Sequence, residues 1–188
     1  MSSESEDGCK LPIAMLVHIV IGLIYIGLPL VSVAALAPEE STEFDGQSVR
    51  DFALQAPDGA MVGLRNCRGC PVIVGFFATW CPSSCAQLTQ LTKLHDKYAD
   101  QGLAIFVFAV DPFETPETTK DVGPLAHKMR LPFPVGGATR ELADGYHYKG
   151  FPTTIVLNGE GNIARTFLGF HEMEELETCV KPLLDVKK

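Results

Sequence analysis

Phe76-Phe77-Ala78-Thr79-Trp80-Cys81-Pro82-Ser83-Ser84-Cys85 lies where one kind of periodicity gives way to another. Upstream, Val72-Ile73-Val74-Gly75-Phe76-Phe77 is a continuous apolar run behind Pro71, the pattern of a strand buried on both faces. Downstream, Leu88, Leu91, Leu94 and Tyr98 recur at i, i+3, i+6 and i+10, which predicts a helix over residues 83–98. Pro82 suits the first helical position, where its missing N–H leaves nothing unpaired. Cys81 therefore stands at a helix N-terminus, the positive end of the macrodipole, where thiolate is favoured over thiol. A thiolate attacks disulfides and binds soft metals. Cys81 is expected to be the exposed attacker, and Cys85, one turn deeper, the resolving thiol. A single cysteine is often an inert small hydrophobe; a pair at a strand-to-helix junction beside Trp80 points to chemistry.

Outward from this junction, residues 51–54 and 60–64 read as short strands about a Pro57-Asp58-Gly59 turn. Residues 103–110 form a second fully apolar strand. Residues 116–129 read as a helix with Pro116 in its first turn, and residues 141–146 as a short helix. Residues 154–157 and 163–168 are strands joined by Asn158-Gly159-Glu160-Gly161, a hairpin signal. Residues 173–185 close the chain as a helix. A β-α-β half followed by a β-β-α half calls for a parallel central sheet with an antiparallel edge. The fold class is α/β, a mixed sheet flanked by helices.

The chain has 188 residues, 46% of them hydrophobic, and a formal net charge of −8. Collagen-like and disordered classes are excluded by the supply of aliphatic and aromatic residues. A pI of about 5.1 argues against a nucleic-acid partner, which needs a basic footprint. The apolar residues are concentrated at residues 11–37, which hold no Asp, Glu, Lys or Arg. As a helix that segment would reach roughly 40 Å at ~1.5 Å per residue, more than a bilayer's hydrocarbon core of ~30 Å. His18 and Pro29 are tolerated in a spanning helix. Glu4, Glu6 and Asp7 precede it against a single Lys10, and Pro38 follows Ala35-Leu36-Ala37. These flanks favour a retained transmembrane anchor over a cleaved signal peptide. With Lys10 on one side and no Lys or Arg until Arg50 on the other, the positive-inside tendency places the main domain outside the cytoplasm, on a periplasmic or equivalent face. The expected organisation is a tail over residues 1–10, an anchor over 11–37, a polar linker over 38–48 and one domain over 49–188.

Phe77-Ala78-Thr79-Trp80-Cys81 and Gly150-Phe151-Pro152-Thr153-Thr154 together resemble the thioredoxin superfamily, and within it the membrane-anchored thiol–disulfide reductases of the TlpA/ResA type. The resemblance covers about residues 44–185. It implies a thioredoxin-like fold in which Pro152 is a cis-proline facing Cys81, and in which the backbone before it docks extended peptide. It makes Cys81 and Cys85 the catalytic pair, with Trp80, Pro82, Phe151, Pro152 and Thr153 around the substrate. It implies thiol–disulfide exchange on protein disulfides or dithiols, reduction being the expected direction. It further implies apocytochrome c or copper-site cysteines as substrates, a membrane electron donor and no cofactor.

One departure opens an alternative. The usual spacing is C-x-x-C, whereas Cys81 and Cys85 are spaced C-x-x-x-C. Residues four apart in a regular helix have Cβ atoms ~5–6 Å apart, against ~3.5–4.5 Å in a disulfide. Closing the bond requires Cys81 to lie just outside the regular helix. C-x-x-x-C is also the spacing of Sco-type copper chaperones, and Val110-Asp111-Pro112 with Glu114-Thr115-Pro116-Glu117 resembles their I-D-P segment. In that reading Cys81 and Cys85 bind copper. The Sco histidine position is taken by Pro152-Thr153-Thr154; His147 falls before it and His171 after the hairpin. A peroxiredoxin fits less well, since Thr79 stands two rather than three before Cys81 and the motif's proline is missing.

Cys67-Arg68-Gly69-Cys70 is a second pair in the loop before the first buried strand. Three readings stand: an incidental thiol pair, a disulfide, or half of a four-cysteine metal site with Cys81 and Cys85. Cys9 precedes the apolar segment and Cys179 falls in the last helix.

Overall fold

A computed structural model of the chain describes residues 49–111 and 119–185. The expected tail, anchor and linker lie outside the described residues. Among the described residues no helix is long and apolar enough to cross a membrane.

Among the described residues, seven strands and four α-helices follow one another. β1 (Ala53–Gln55) and β2 (Met61–Gly63) pair antiparallel as a small separate sheet. β3 (Val72–Phe77) leads into α1 (Pro82–Tyr98), which returns the chain to β4 (Ala104–Ala109). There follow α2 (Thr119–Met129), β5 (Val135–Gly137) and α3 (Arg140–Gly145). The hairpin of β6 (Thr153–Leu157) and β7 (Ile163–Leu168) precedes α4 (Met173–Asp185). The main sheet has the order β5-β4-β3-β6-β7. β3, β4 and β5 are parallel, as crossover connections require; β6 pairs antiparallel with β3, and β7 antiparallel with β6. The mixed sheet and the antiparallel hairpin are as the apolar pattern predicts.

β3 is central and wholly buried, and its alternation sorts the core into two layers. Ile73 and Phe77 face Leu88, Leu91, Leu94 and Tyr98 of α1 and Leu176, Val180 and Leu184 of α4. Val72, Val74 and Phe76 face Phe106, Phe108, Ala143 and Tyr146 on the other side. Between them, Gly75 lets α1 lie close. A Cβ there would stand 3.0 Å from Val107 Cγ1 and 3.4 Å from Leu91 Cδ1.

Two expectations change. The helix expected over residues 116–129 is described from Thr119, because residues 112–118 lie outside the described residues. β5 was not expected at all. Val135-Gly136-Gly137 offers one strand former and two glycines, too little local propensity to announce a strand. It is a strand because β4 pairs with it and because Leu54 fills the space beside Gly136, where a Cβ would stand 2.4 Å from Leu54 Cδ2.

Candidate functional site

The parallel strands β3 and β4 end side by side, and the turn from β3 into α1 is fixed there by three contacts. The Val110 N–H donates to the Phe77 carbonyl at 2.9 Å. The Thr79 N–H donates to the Asp111 carboxylate, which is itself buried. The Ala78 N–H donates to the Ser84 hydroxyl at 3.2 Å, and Ser84 is wholly buried. The Cys81 N–H then closes a turn onto the Ala78 carbonyl at 3.2 Å.

Cys81 is the N-cap residue of α1, with extended backbone (φ −90°, ψ 118°), and Pro82 follows at the first helical position. Its carbonyl accepts the Cys85 N–H at 3.1 Å, the first bond of the helix. Cys81 thus lies just outside the regular helix, the placement that the C-x-x-x-C spacing needs for a disulfide. The Ser83 hydroxyl stands 3.1 Å from the Cys81 sulfur. That hydrogen bond holds the thiol below its ordinary range; the backbone N–H groups of Ser84 and Ser83 add to it and partial burial opposes it. The Cys85 thiol donates instead to the Thr79 carbonyl at 3.8 Å. Both cysteines are of intermediate burial, the Cys81 sulfur making its contact in an exposed setting and the Cys85 sulfur in a part-buried one. Their partners also differ: a donor beside Cys81, an acceptor beside Cys85. Among the described residues the cysteines are thiols.

The residues named from the sequence take different places. Trp80 is 69% exposed, and its ring meets Phe151 edge to face at 5.2 Å between centroids. The Phe151–Pro152 peptide bond is cis. Pro82 is exposed on the first turn of α1. Thr153 differs from the rest. Its side chain is buried and its hydroxyl donates to the Gly150 carbonyl, so that hydroxyl holds the loop rather than facing a substrate. Two further apolar side chains lie outside the motifs. Leu168 is 46% and Phe170 40% exposed, and the Gly169 N–H between them donates to the Pro152 carbonyl at 2.8 Å. Leu168 also lies within reach of Gly150. Their signal is a leucine on the outward phase of β7, next to buried Phe167, with Phe170 two residues on. The sequence marks Asp111 only as part of an I-D-P segment, and it gives Ser83 and Ser84 no signal of their own.

The metal readings lack ligands. Among the described residues no group of three His, Cys, Asp or Glu is placed to hold an ion. His171 has Nδ1 2.9 Å from the Glu175 carboxylate and Nε2 3.1 Å from the Leu168 carbonyl. The four-cysteine site is excluded by the sheet. Cys67 and Cys70 precede the start of β3 and Cys81 follows its end, and six strand residues span roughly 20 Å.

Comparisons with known proteins bear on the whole domain. A sequence profile described as the AhpC/TSA family matches residues 46–166. Thiol-disulfide oxidoreductase ResA of Halalkalibacterium halodurans is 30% identical over 141 residues, covering 73% of this chain and 77% of that one. Thioredoxin-like protein YneN of Bacillus subtilis is 29% identical over 133 residues, covering 71% and 76%. A thioredoxin-family thiol:disulfide interchange protein from Chlorobium tepidum superposes with a TM-score of 0.63 at 25% identity, covering 74% of this chain and 97% of that one. StoA of Bacillus subtilis shares the fold, with a TM-score of 0.57 at 23% identity over 69% of this chain and 96% of that one.

Proposed function

This chain belongs to the AhpC/TSA family, and from that premise we propose that it reduces disulfides in protein substrates outside the cytoplasm, tethered to a membrane by residues 11–37. It is a thioredoxin-like thiol–disulfide oxidoreductase. The observation that carries the reading is the pairing of Cys81, at the N-cap of α1 with the Ser83 hydroxyl on its sulfur, with Cys85 one turn on.

The Cys81 thiolate attacks one sulfur of a substrate disulfide and expels the other as a thiolate, leaving a mixed disulfide. The Ser83 hydroxyl and the first N–H groups of α1 favour the attacking anion. Cys85 then loses its proton and attacks the Cys81 sulfur. The substrate leaves as a dithiol and the enzyme is left with a Cys81–Cys85 disulfide. Two electrons pass to each substrate disulfide, and a membrane dithiol donor returns them. Trp80, Phe151, Leu168 and Phe170 give the substrate an apolar rim to lie on, and the chain before Pro152 runs alongside it. Cysteines that must be reduced before they take haem or copper, as in apocytochrome c, are the substrates that the resemblance implies. Direct copper binding is not part of this reading, since no third ligand joins Cys81 and Cys85 among the described residues.

The test uses the reduced full chain and a peptide holding one intramolecular disulfide. Reduction of the peptide, with one Cys81–Cys85 disulfide formed per peptide reduced, supports the reading. An inert reduced chain, beside an oxidised chain that oxidises the peptide dithiol, reverses the direction. In intact cells, a thiol reagent that cannot cross membranes labels Cys81 if the domain is outside the cytoplasm and spares it otherwise.

A further inference from the structure

The exchange reaction uses two of the cysteines and leaves Cys67-Arg68-Gly69-Cys70 without a role. These four residues form a single tight turn. The Cys70 N–H donates to the Cys67 carbonyl at 3.0 Å. Arg68 has φ −56° and ψ 132°, and Gly69 has φ +80°. Those angles define a type II turn, in which the third residue needs positive φ and is therefore glycine. Cys67 and Cys70 are the first and fourth residues of that turn, whose Cα atoms lie within about 7 Å by definition. A disulfide closes over Cα separations of about 4.4–6.8 Å. The turn brings the two Cα atoms to about that separation by its backbone alone.

The surroundings hold the two sulfurs as neighbours at the edge of the core. Both side chains are half-buried. The Cys67 sulfur lies 3.6 Å from the Gly63 carbonyl at the edge of the aromatic core. Burial pushes its thiol up, and charge on Cys70 pushes the same way, which marks the two sulfurs as neighbours while lowering the thiolate fraction of Cys67 at neutral pH. The turn is also pinned from outside. The Gly69 N–H donates to the Gly159 carbonyl at 2.8 Å and Arg68 Nη1 to the Glu160 carbonyl at 3.1 Å. Contact there is so close that a Cβ on Gly159 would stand 3.0 Å from the Gly69 carbonyl carbon. A tetrahedral zinc centre needs four ligands, and among the described residues no third His, Cys, Asp or Glu joins the pair in a metal site.

We propose that Cys67 and Cys70 are a second dithiol–disulfide couple, at the end of β3 opposite Cys81, which exchanges with low-molecular-weight disulfides independently of Cys81 and Cys85. One thiolate of the pair attacks the small disulfide and expels one of its halves as a thiolate. The other thiol loses its proton and attacks the resulting mixed disulfide, expelling the second half. Two protein thiols are oxidised to one disulfide, and one small disulfide is reduced to two thiols. The oxidised turn then clasps the tip of the β6–β7 hairpin through a covalently closed ring.

The test uses the full chain carrying Cys81→Ser and Cys85→Ser, beside the unmodified chain. Both are equilibrated with graded ratios of glutathione to its disulfide, quenched with N-ethylmaleimide and cut with trypsin. Cleavage after Arg68 separates the two cysteines, so a Cys67–Cys70 disulfide leaves two peptides joined as one species. The proposal expects that joined species to rise towards one per chain as the buffer becomes oxidising, equally in both proteins, and to vanish with dithiothreitol. Adding Cys67→Ser should replace it with a glutathione adduct on Cys70. Alkylation of both cysteines at every ratio overturns the proposal. So does a glutathione adduct that persists while both cysteines are present. Protection of the pair by zinc alone, with no joined peptide under oxidised glutathione, also overturns it and makes the turn a metal site.

Discussion

Replacing Ser83 with alanine removes the hydroxyl that stands 3.1 Å from the Cys81 sulfur. A hydrogen bond to a charged group contributes ~1.5–3 kcal/mol, and solvent screening at a site this open brings the figure to about 1 kcal/mol. At ~1.4 kcal/mol per tenfold change, the thiolate fraction of Cys81 at a fixed pH below its titration falls about fivefold. The thiolate that remains is more basic and hence more nucleophilic. With a Brønsted coefficient of ~0.45 its intrinsic rate rises about twofold. The net effect of Ser83→Ala is alkylation of Cys81 by iodoacetamide that is slower by roughly 2.5-fold at low pH and faster by about twofold once Cys81 is fully ionised. The two pH–rate curves must cross. Ser83 is exposed on the first turn of α1, so global stability should move by less than about 0.5 kcal/mol, and Ser83→Thr should restore the original curve. The assay is the pH dependence of alkylation at the Cys81 peptide, read by mass spectrometry. Superimposable curves for the unmodified chain and Ser83→Ala would refute the role given to the hydroxyl.

Asp111→Ala removes the buried carboxylate that accepts the Thr79 N–H. Urea denaturation should show a loss of about 1.5–3 kcal/mol, with slower disulfide exchange because the turn before Cys81 loses an anchor; an unchanged midpoint would count against that contact. Trp80→Ala should leave the midpoint nearly unmoved, since the ring is 69% exposed. It should raise KM for a protein disulfide about 2- to 10-fold, the worth of one aromatic contact at ~0.5–1.5 kcal/mol, while sparing small disulfides; equal effects on both substrates would remove Trp80 from the docking rim. Gly63→Ala places a Cβ 2.1 Å from the Phe52 carbonyl oxygen, which is backbone and cannot swing aside. The β1–β2 pair must shift, at a cost of roughly 1–3 kcal/mol, again read from the urea midpoint.

The chain's framework was legible wherever a single segment carried its own pattern. β3 was marked by six consecutive apolar residues, α1 by Leu88, Leu91, Leu94 and Tyr98, and the β6–β7 turn by Asn158-Gly159-Glu160-Gly161. Pro82 marked the start of α1 and therefore the N-cap place of Cys81. What escaped was decided between segments. β5 exists because β4 pairs with it and Leu54 covers Gly136. Asp111 reaches Thr79 only because β3 and β4 run parallel and end together. Leu168 and Phe170 come to the site because the Gly169 N–H binds the Pro152 carbonyl. Thr153 was legible as part of the Pro152 loop, but its side chain turns inward to Gly150, a direction that the motif does not encode.

The most direct test of the exchange mechanism is a trap. The full chain carrying Cys85→Ser is reduced, mixed with a peptide that holds one disulfide, and quenched with acid. With the resolving thiol gone, the mixed disulfide formed in the first step should accumulate on Cys81, one peptide per chain, and Cys81→Ser should abolish it. A peptide adduct carried by any other cysteine, or none on Cys81 while the unmodified chain still reduces the peptide, would contradict the assignment of Cys81 as the attacking thiolate.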